Sequence, residues 1–138
     1  MAAGYSGTPL SRKLGIEAGT TIFVSNAPEN YRQLVAPLPQ GARLVSRLSR
    51  DTNVVHLFAD RKRSMTAALR MMRGKLRQDG AVWVSWPKKA AKVATDITED
   101  TIREVALPMG FVDVKVCAVD DVWSALKLVI RKELRTKS

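Results

Sequence analysis

The 138-residue chain reads as a single α/β domain of three layers, with helices on both faces of a mostly parallel sheet that ends in an antiparallel hairpin. Three observations predict this. Strand-like apolar runs alternate with amphipathic helical stretches through most of the chain, a rhythm that builds a parallel sheet. The run Asn53-Val54-Val55-His56-Leu57-Phe58-Ala59 is almost continuously apolar, which suits a strand covered on both faces. The last two strand-like runs are joined only by Asp120-Asp121, and so short a turn permits only an antiparallel pair.

The elements follow in order. Thr8 predicts an N-cap and Pro9 the first position of a short helix over Leu10 to Leu14, ended by Gly15. Gly19 turns the chain into a first strand, Thr21 to Ser25. Asn26 and Glu29 have capping-box spacing, so a second helix is expected to run to Val35. Pro37 and Pro39 end it. A second strand runs from Ala42 to Val45 or to Leu48, and the third covers Asn53 to Ala59. The second strand's end matters. If it stops near Val45, the residues up to Asn53 span at most roughly 26–29 Å, enough to run back and begin a parallel strand. If it continues to Leu48, it becomes an antiparallel edge.

A long helix is predicted over Ser64 to Arg77, with Met65, Leu69, Met72 and Leu76 on one buried face. Gly80 closes it. Ala81 to Trp86 is the fourth strand, and Pro87-Lys88-Lys89 opens a polar loop. Thr98 then caps a helix whose first turn carries Glu99 and Asp100, where the helix dipole favours negative charge. Pro108 and Gly110 end that helix near Ala106 or Leu107. Val112 to Val119 and Trp123 to Arg131 form the final hairpin. Residues 1–20 are a lead-in and 132–138 a polar tail. No repeat or interdomain linker divides the chain, which reads as one Rossmann-like unit.

Composition narrows the function classes. Twenty-three Lys and Arg against thirteen Asp and Glu give a net charge of +10, a field that attracts phosphates, nucleic acid or other polyanions. No segment approaches a membrane span, and Met1 to Gly7 lacks a signal-peptide layout, so a cytoplasmic protein is expected. The lone Cys117 leaves no intramolecular disulfide and no cysteine-based metal cluster.

Lys13-Leu14-Gly15-Ile16-Glu17-Ala18-Gly19 ahead of the first strand, together with the parallel sheet and terminal hairpin, resembles the class I S-adenosylmethionine-dependent methyltransferases. That resemblance implies a glycine-rich turn after the first strand, where a ligand approaches the backbone, and a carboxylate ending the second strand. The chain instead has Asn26-Ala27-Pro28-Glu29 and Ser46-Arg47-Leu48-Ser49-Arg50. The expectation is therefore the fold without the cofactor, and methyl transfer is not expected. Longer motifs resemble a bacterial family of small proteins known as domain of unknown function 3052. They are Gly4-Tyr5-Ser6-Gly7-Thr8-Pro9-Leu10, Trp86-Pro87-Lys88-Lys89, Thr95-Asp96-Ile97-Thr98-Glu99-Asp100, Val112 to Asp120, Trp123-Ser124 and Leu126-Lys127-Leu128. That resemblance implies a bacterial cytoplasmic protein and no particular activity.

Ligands of open parallel sheets bind beyond the carboxyl ends of the strands. Three segments fall there: Asn26-Ala27-Pro28, Asp60-Arg61-Lys62-Arg63 and Trp86-Pro87-Lys88-Lys89. Cations at a helix start oppose its dipole, yet they strengthen the preference of that end for anions. Arg61, Lys62, Arg63, Lys88 and Lys89 are thus the candidate anion-binding residues, and Trp86 is a candidate for stacking a base. Arg63, Arg70, Arg73 and Arg77 would extend a basic stripe along one helix side. A solvated charge run is the competing account of all these cations, and Trp86 competes as strand-end packing. Trp83 falls on the opposite face from Trp86, under a helix, and Trp123 packs where it begins the last strand.

No catalytic set can be assigned, and no metal-ligand spacing or phosphate-cradling loop is present. His56 lies mid-strand among apolar residues and reads as a satisfied core histidine. Cys117 reads as a small buried hydrophobe. The expected function is a non-catalytic binding module for nucleic acid, a nucleotide or an acidic partner. The alternative is an enzyme of unrecognised chemistry in the same crevice, with Asp96 or Asp60 as acid or base and Ser25 or Asn26 as polar contacts. A third reading is a subunit whose apolar surface is covered by a second copy or a partner; pairing of sheet edges through the final hairpin is opposed by its Lys115, Lys127 and Arg131.

Overall fold

The computed structural model describes residues 7–136; the motif residues Gly4, Tyr5 and Ser6 and the tail residues Lys137 and Ser138 lie outside them. Six strands form one sheet: β1 (Thr21–Ser25), β2 (Arg43–Val45), β3 (Val54–Phe58), β4 (Ala81–Pro87), β5 (Phe111–Ala118) and β6 (Trp123–Ile130). Their spatial order is β2-β1-β3-β4-β6-β5. The first four run parallel and β6 is antiparallel to both of its neighbours. This is the expected α/β architecture.

The uncertain second strand stops at Val45 and pairs in parallel with β1, Thr21 opposite Arg43. Residues 46–53 then carry the chain back to the start of β3 on the other side of β1. Their extended reach suffices for so short a strand, so the antiparallel alternative does not occur. The chain order therefore reverses direction at β1, between β2 and β3, and this is the topological switch point of the sheet.

Four helices cover the faces: α1 (Leu10–Lys13), α2 (Tyr31–Leu34), α3 (Lys62–Lys75) and α4 (Glu99–Ala106). On one face Met65, Leu69 and Met72 of α3, Leu76 just beyond it, and Ile102 and Ala106 of α4 are all fully buried against Val55, Leu57, Val82 and Val84. Burying each such large side chain is worth about 1.5–3 kcal/mol. On the other face, Leu10, Leu14, Tyr31 and Val35 pack around Trp83, whose indole N–H donates to Leu14 O at 3.0 Å. Trp83 and Trp86 occupy opposite faces, as the strand period requires.

Several boundaries differ from expectation, each for a local reason. Thr8 does not cap α1, which starts after Pro9 with no side-chain cap. Asn26 and Glu29 form no capping box; α2 is a single turn that begins after Asn30. Asn26 itself adopts φ +58, and its amide Nδ2 donates to Phe58 O at 3.4 Å. Helix α3 spans Lys62–Lys75 rather than 64–77, because its first N–H finds a distant acceptor, described below. Thr98 does cap α4: its Oγ1 accepts from Thr101 N, and Thr101 Oγ1 accepts from Thr98 N at 3.1 Å. Gly80 is buried where a Cβ would sit 3.0 Å from Arg77 O and Asn53 O, so any larger residue there would press on two backbone carbonyls.

The terminal hairpin is antiparallel, and Asp120 Oδ1 accepts from both Val122 N and Trp123 N at 2.9 Å to shape its turn. A register shift between Asp113 and Lys115 interrupts β5. Such a bulge on an edge strand discourages pairing with another edge. Arg103 of α4 ties this strand to its helix through Asp113, Glu99 and Asp100. Among the described residues no helix is long and apolar enough to cross a membrane.

Candidate anion-binding surface at the carboxyl edge

β3 and β4 are neighbours, with Phe58 opposite Ser85 and Ala59 N donating to Ser85 O at 3.0 Å. The segments that follow them therefore emerge side by side at the carboxyl edge. Arg61, Lys62 and Arg63 start α3, while Lys88 and Lys89 lead into a 3-10 turn over Lys89–Ala91. The turn closes on Lys92, at φ +56. Lys92 is a further exposed cation of this edge that the sequence reading passed over, although its position three residues beyond Lys89 was the available signal.

The loop after this turn folds back onto the start of α3. Thr95 Oγ1 donates to Asp60 O at 2.7 Å, and Asp96 Oδ1 accepts from Lys62 N at 2.6 Å. An acidic side chain borrowed from another segment thus caps a helix whose own first turn carries only cations. It satisfies an orphan N–H and complements the dipole. Asp96, a candidate acid or base by sequence, thus serves as the cap of α3, and the amino end expected to attract anions already holds a carboxylate. Lys62 Nζ lies 3.8 Å from Glu104. Arg61, Arg63, Lys88, Lys89 and Lys92 have no side-chain partner among the described residues.

Other candidates are distributed differently. Trp86 is 9% exposed and packs with Ile97 and Leu126 in the core beneath α3 and α4, which leaves little of its ring for stacking. The basic stripe is broken. Arg73 Nε donates to Met109 O at 3.0 Å, and Arg77, beyond the end of α3, pairs with Asp79 at 2.5 Å. Only Arg63 and Arg70 remain exposed and unpaired along it. Ser25 is half-buried, and Asp60 is exposed, its backbone carbonyl taken by Thr95.

His56 is fully buried and satisfied on both nitrogens: Tyr31 Oη lies 2.9 Å from Nδ1 and Ser85 Oγ 2.6 Å from Nε2. Its ring stacks on Phe58, 4.2 Å between centroids, and Phe58 in turn meets Trp123 edge-on. Burial pushes the imidazole pKa down to about 3 and the Tyr31 hydroxyl above its ordinary value. A serine beside a histidine is the geometry of nucleophile and base. Here both are sealed in the core, which makes the set a structural polar network. Sequence spacing gave no sign of it, since three separate elements supply its members. Among the described residues no group of histidine, cysteine and carboxylate side chains could hold a metal ion.

No family model matches the chain, and no curated protein matches it by sequence. Solved structures do share its fold. A Sulfolobus solfataricus protein described as a type 11 methyltransferase superposes with TM-score 0.57 at 13% identity, covering 94% of this chain and 90% of that one. Aeropyrum pernix fibrillarin, bound to S-adenosyl-L-methionine, gives TM-score 0.55 at 13% identity, over 91% of this chain and 70% of that one. A Bordetella parapertussis protein described as a possible exported protein gives TM-score 0.62 at 9% identity, over 88% of this chain. The chain spans 64% of that protein's length. The fold is methyltransferase-like and Rossmann-like.

The switch-point residues do not fit the cofactor of the fibrillarin complex. Where a glycine turn would let a ligand reach the backbone, Asn26 projects a side chain that spans from β1 to the end of β3, and Pro28 follows. Beyond β2 stand Ser46 and Arg47 rather than a carboxylate.

Proposed function

We propose that this protein is a non-catalytic module that binds a polyanion, nucleic acid foremost, at the carboxyl edge of a methyltransferase-like sheet. The observation that carries this reading is an imbalance of partners. Among the described residues the edge carries Arg61, Arg63, Lys88, Lys89 and Lys92 without a paired acid; Asp96 is committed to the start of α3 and Glu104 to Lys62, which leaves the exposed carboxylate of Asp60 against five cations. An open array of cations on two adjacent segments suits a phosphate backbone, whose charges recur along the strand. The net charge of +10 supports the same class of ligand by long-range attraction. We further infer a bacterial, cytoplasmic protein of the domain of unknown function 3052 type, from the motifs around Trp86, Asp96 and Asp113.

The enzymatic alternative has less support, because of its two candidate acids Asp96 is engaged as a helix cap and Asp60 is exposed on the surface rather than enclosed in a pocket. The test is an amide chemical-shift titration with short single-stranded and duplex oligonucleotides at low and physiological salt. Shifts should cluster at Arg61–Arg63 and Lys88–Lys92 and weaken with salt. An absence of shifts at low salt would overturn the reading.

A further inference from the structure

We propose that the cleft at the amino edge of the sheet, lined by Arg50, Arg77 and Arg135, is a separate site for a small phosphorylated polyol or sugar. The cleft has a volume of about 680 Å³, and Asp51, Gln78, Asp79 and Thr136 complete its lining. Three distant segments build it: the turn before β3, the link from α3 to β4, and the residues after β6. It lies a full strand length from the carboxyl-edge cations and does not depend on them.

The argument rests on how the arginines are held. Arg50 Nη2 donates to Gly74 O at 3.2 Å, and Arg135 Nε donates to Ile130 O at 2.9 Å. A backbone carbonyl fixes a guanidinium without neutralising it. Each arginine therefore keeps its full charge and most of its five N–H donors while losing conformational freedom, which lowers the cost of ordering it around a ligand. Arg77 is fixed instead by Asp79, at 2.5 Å. Across the chain, Thr136 N donates to Gln78 Oε1 at 3.1 Å, joining the C-terminal segment to the link before β4.

The lining selects the ligand class. Paired guanidinium forks match the oxygens of a phosphate monoester. Asp51, whose backbone N–H donates to Ser49 Oγ at 3.1 Å and whose carboxylate makes no hydrogen bond among the described residues, offers acceptors for hydroxyl groups, and Gln78 and Thr136 add neutral polar atoms. Among the described residues no aromatic or large aliphatic side chain lines the cleft, so it offers no apolar wall to a nucleobase. A polar, hydroxyl-rich phosphate ester would place its phosphate at Arg50 and Arg135 and its hydroxyls at Asp51, with Asp79 held by Arg77.

The test is titration of the full chain with inorganic phosphate and with glucose 6-phosphate, followed by amide and arginine Nε shifts. Saturable shifts are expected at residues 50–51, 77–79 and 135–136, with the sugar phosphate binding at least tenfold tighter than inorganic phosphate. Arg50→Gln and Arg135→Gln should each weaken binding about tenfold or more while leaving the thermal midpoint within two degrees or so. A variant lacking the five carboxyl-edge cations should bind as the parent does. Shifts that fail to saturate, or that survive both glutamine variants, would overturn the proposal.

Discussion

At the scale of single residues, the buried network around His56 makes the sharpest demands. Removing the hydroxyl of Tyr31 by Tyr31→Phe leaves the Nδ1 side of a fully buried ring without its partner. An orphaned buried polar group costs about 1–3 kcal/mol, so urea unfolding should show that loss with an unchanged m-value. The same ring predicts a pH dependence. Its folded pKa of about 3 lies below the unfolded value of roughly 6.5, so the unfolded chain binds more protons between those limits. Stability is then full above pH 6.5 and falls as pH drops, by up to about 1.4 kcal/mol per unit. Unfolding curves at pH 7, 6 and 5 should show this slope before carboxylates titrate, and His56→Gln should flatten it. His56 was legible in the sequence as a satisfied core residue, but its partners were not. Tyr31 and Ser85 lie 25 and 29 residues away, and nothing in local spacing links them.

At the scale of elements, α3 shows how one segment completes another. Its periodic Met65, Leu69 and Met72 announced both the helix and its buried face. Its start was misjudged because a run of cations is a poor helix opening on its own, and the acceptor that rescues it comes from the loop after β4. Asp96→Ala should therefore lower stability by about 1 kcal/mol, the usual worth of an N-terminal cap, and amide exchange should accelerate first at Lys62 and Arg63. An unchanged exchange pattern would mean that the bond at 2.6 Å contributes little. The Thr98 cap of α4 was readable because it stands directly before the helix it caps, while the reciprocal bond from Thr98 N to Thr101 Oγ1 emerged only in the structure. The capping box supposed for Asn26 failed because that side chain bonds across the sheet to Phe58.

At the scale of the whole molecule, charge and topology act together. Neighbouring β3 and β4 bring Arg61–Arg63 beside Lys88–Lys92, where cations outnumber the nearby acids Asp60, Asp96 and Glu104. Replacing Arg61, Lys62, Arg63, Lys88 and Lys89 with glutamine lowers the net charge from +10 to about +5, one unit for each cation. Oligonucleotide affinity should fall by at least an order of magnitude, with a shallower dependence of log affinity on log salt. Circular dichroism should be unchanged. Retained affinity would place the ligand elsewhere on the molecule. The amino-edge cleft is the converse case, since its arginines come from segments that sequence inspection gave no reason to group.

The sequence by itself determined the α/β class, the alternation of strands and helices, the antiparallel hairpin, the opposite faces of Trp83 and Trp86, and the absence of a glycine turn after the first strand. Each of these depends on residues within a few positions of one another, where side-chain period, proline, glycine and turn length act directly. Only the tertiary structure decided that β2 is a parallel edge, that Asp96 caps α3, that Trp86 is core, and that Tyr31, His56 and Ser85 form one network. Those outcomes join residues far apart in the chain, and their partners are chosen by packing and by the need to satisfy buried polar groups, which no local pattern encodes.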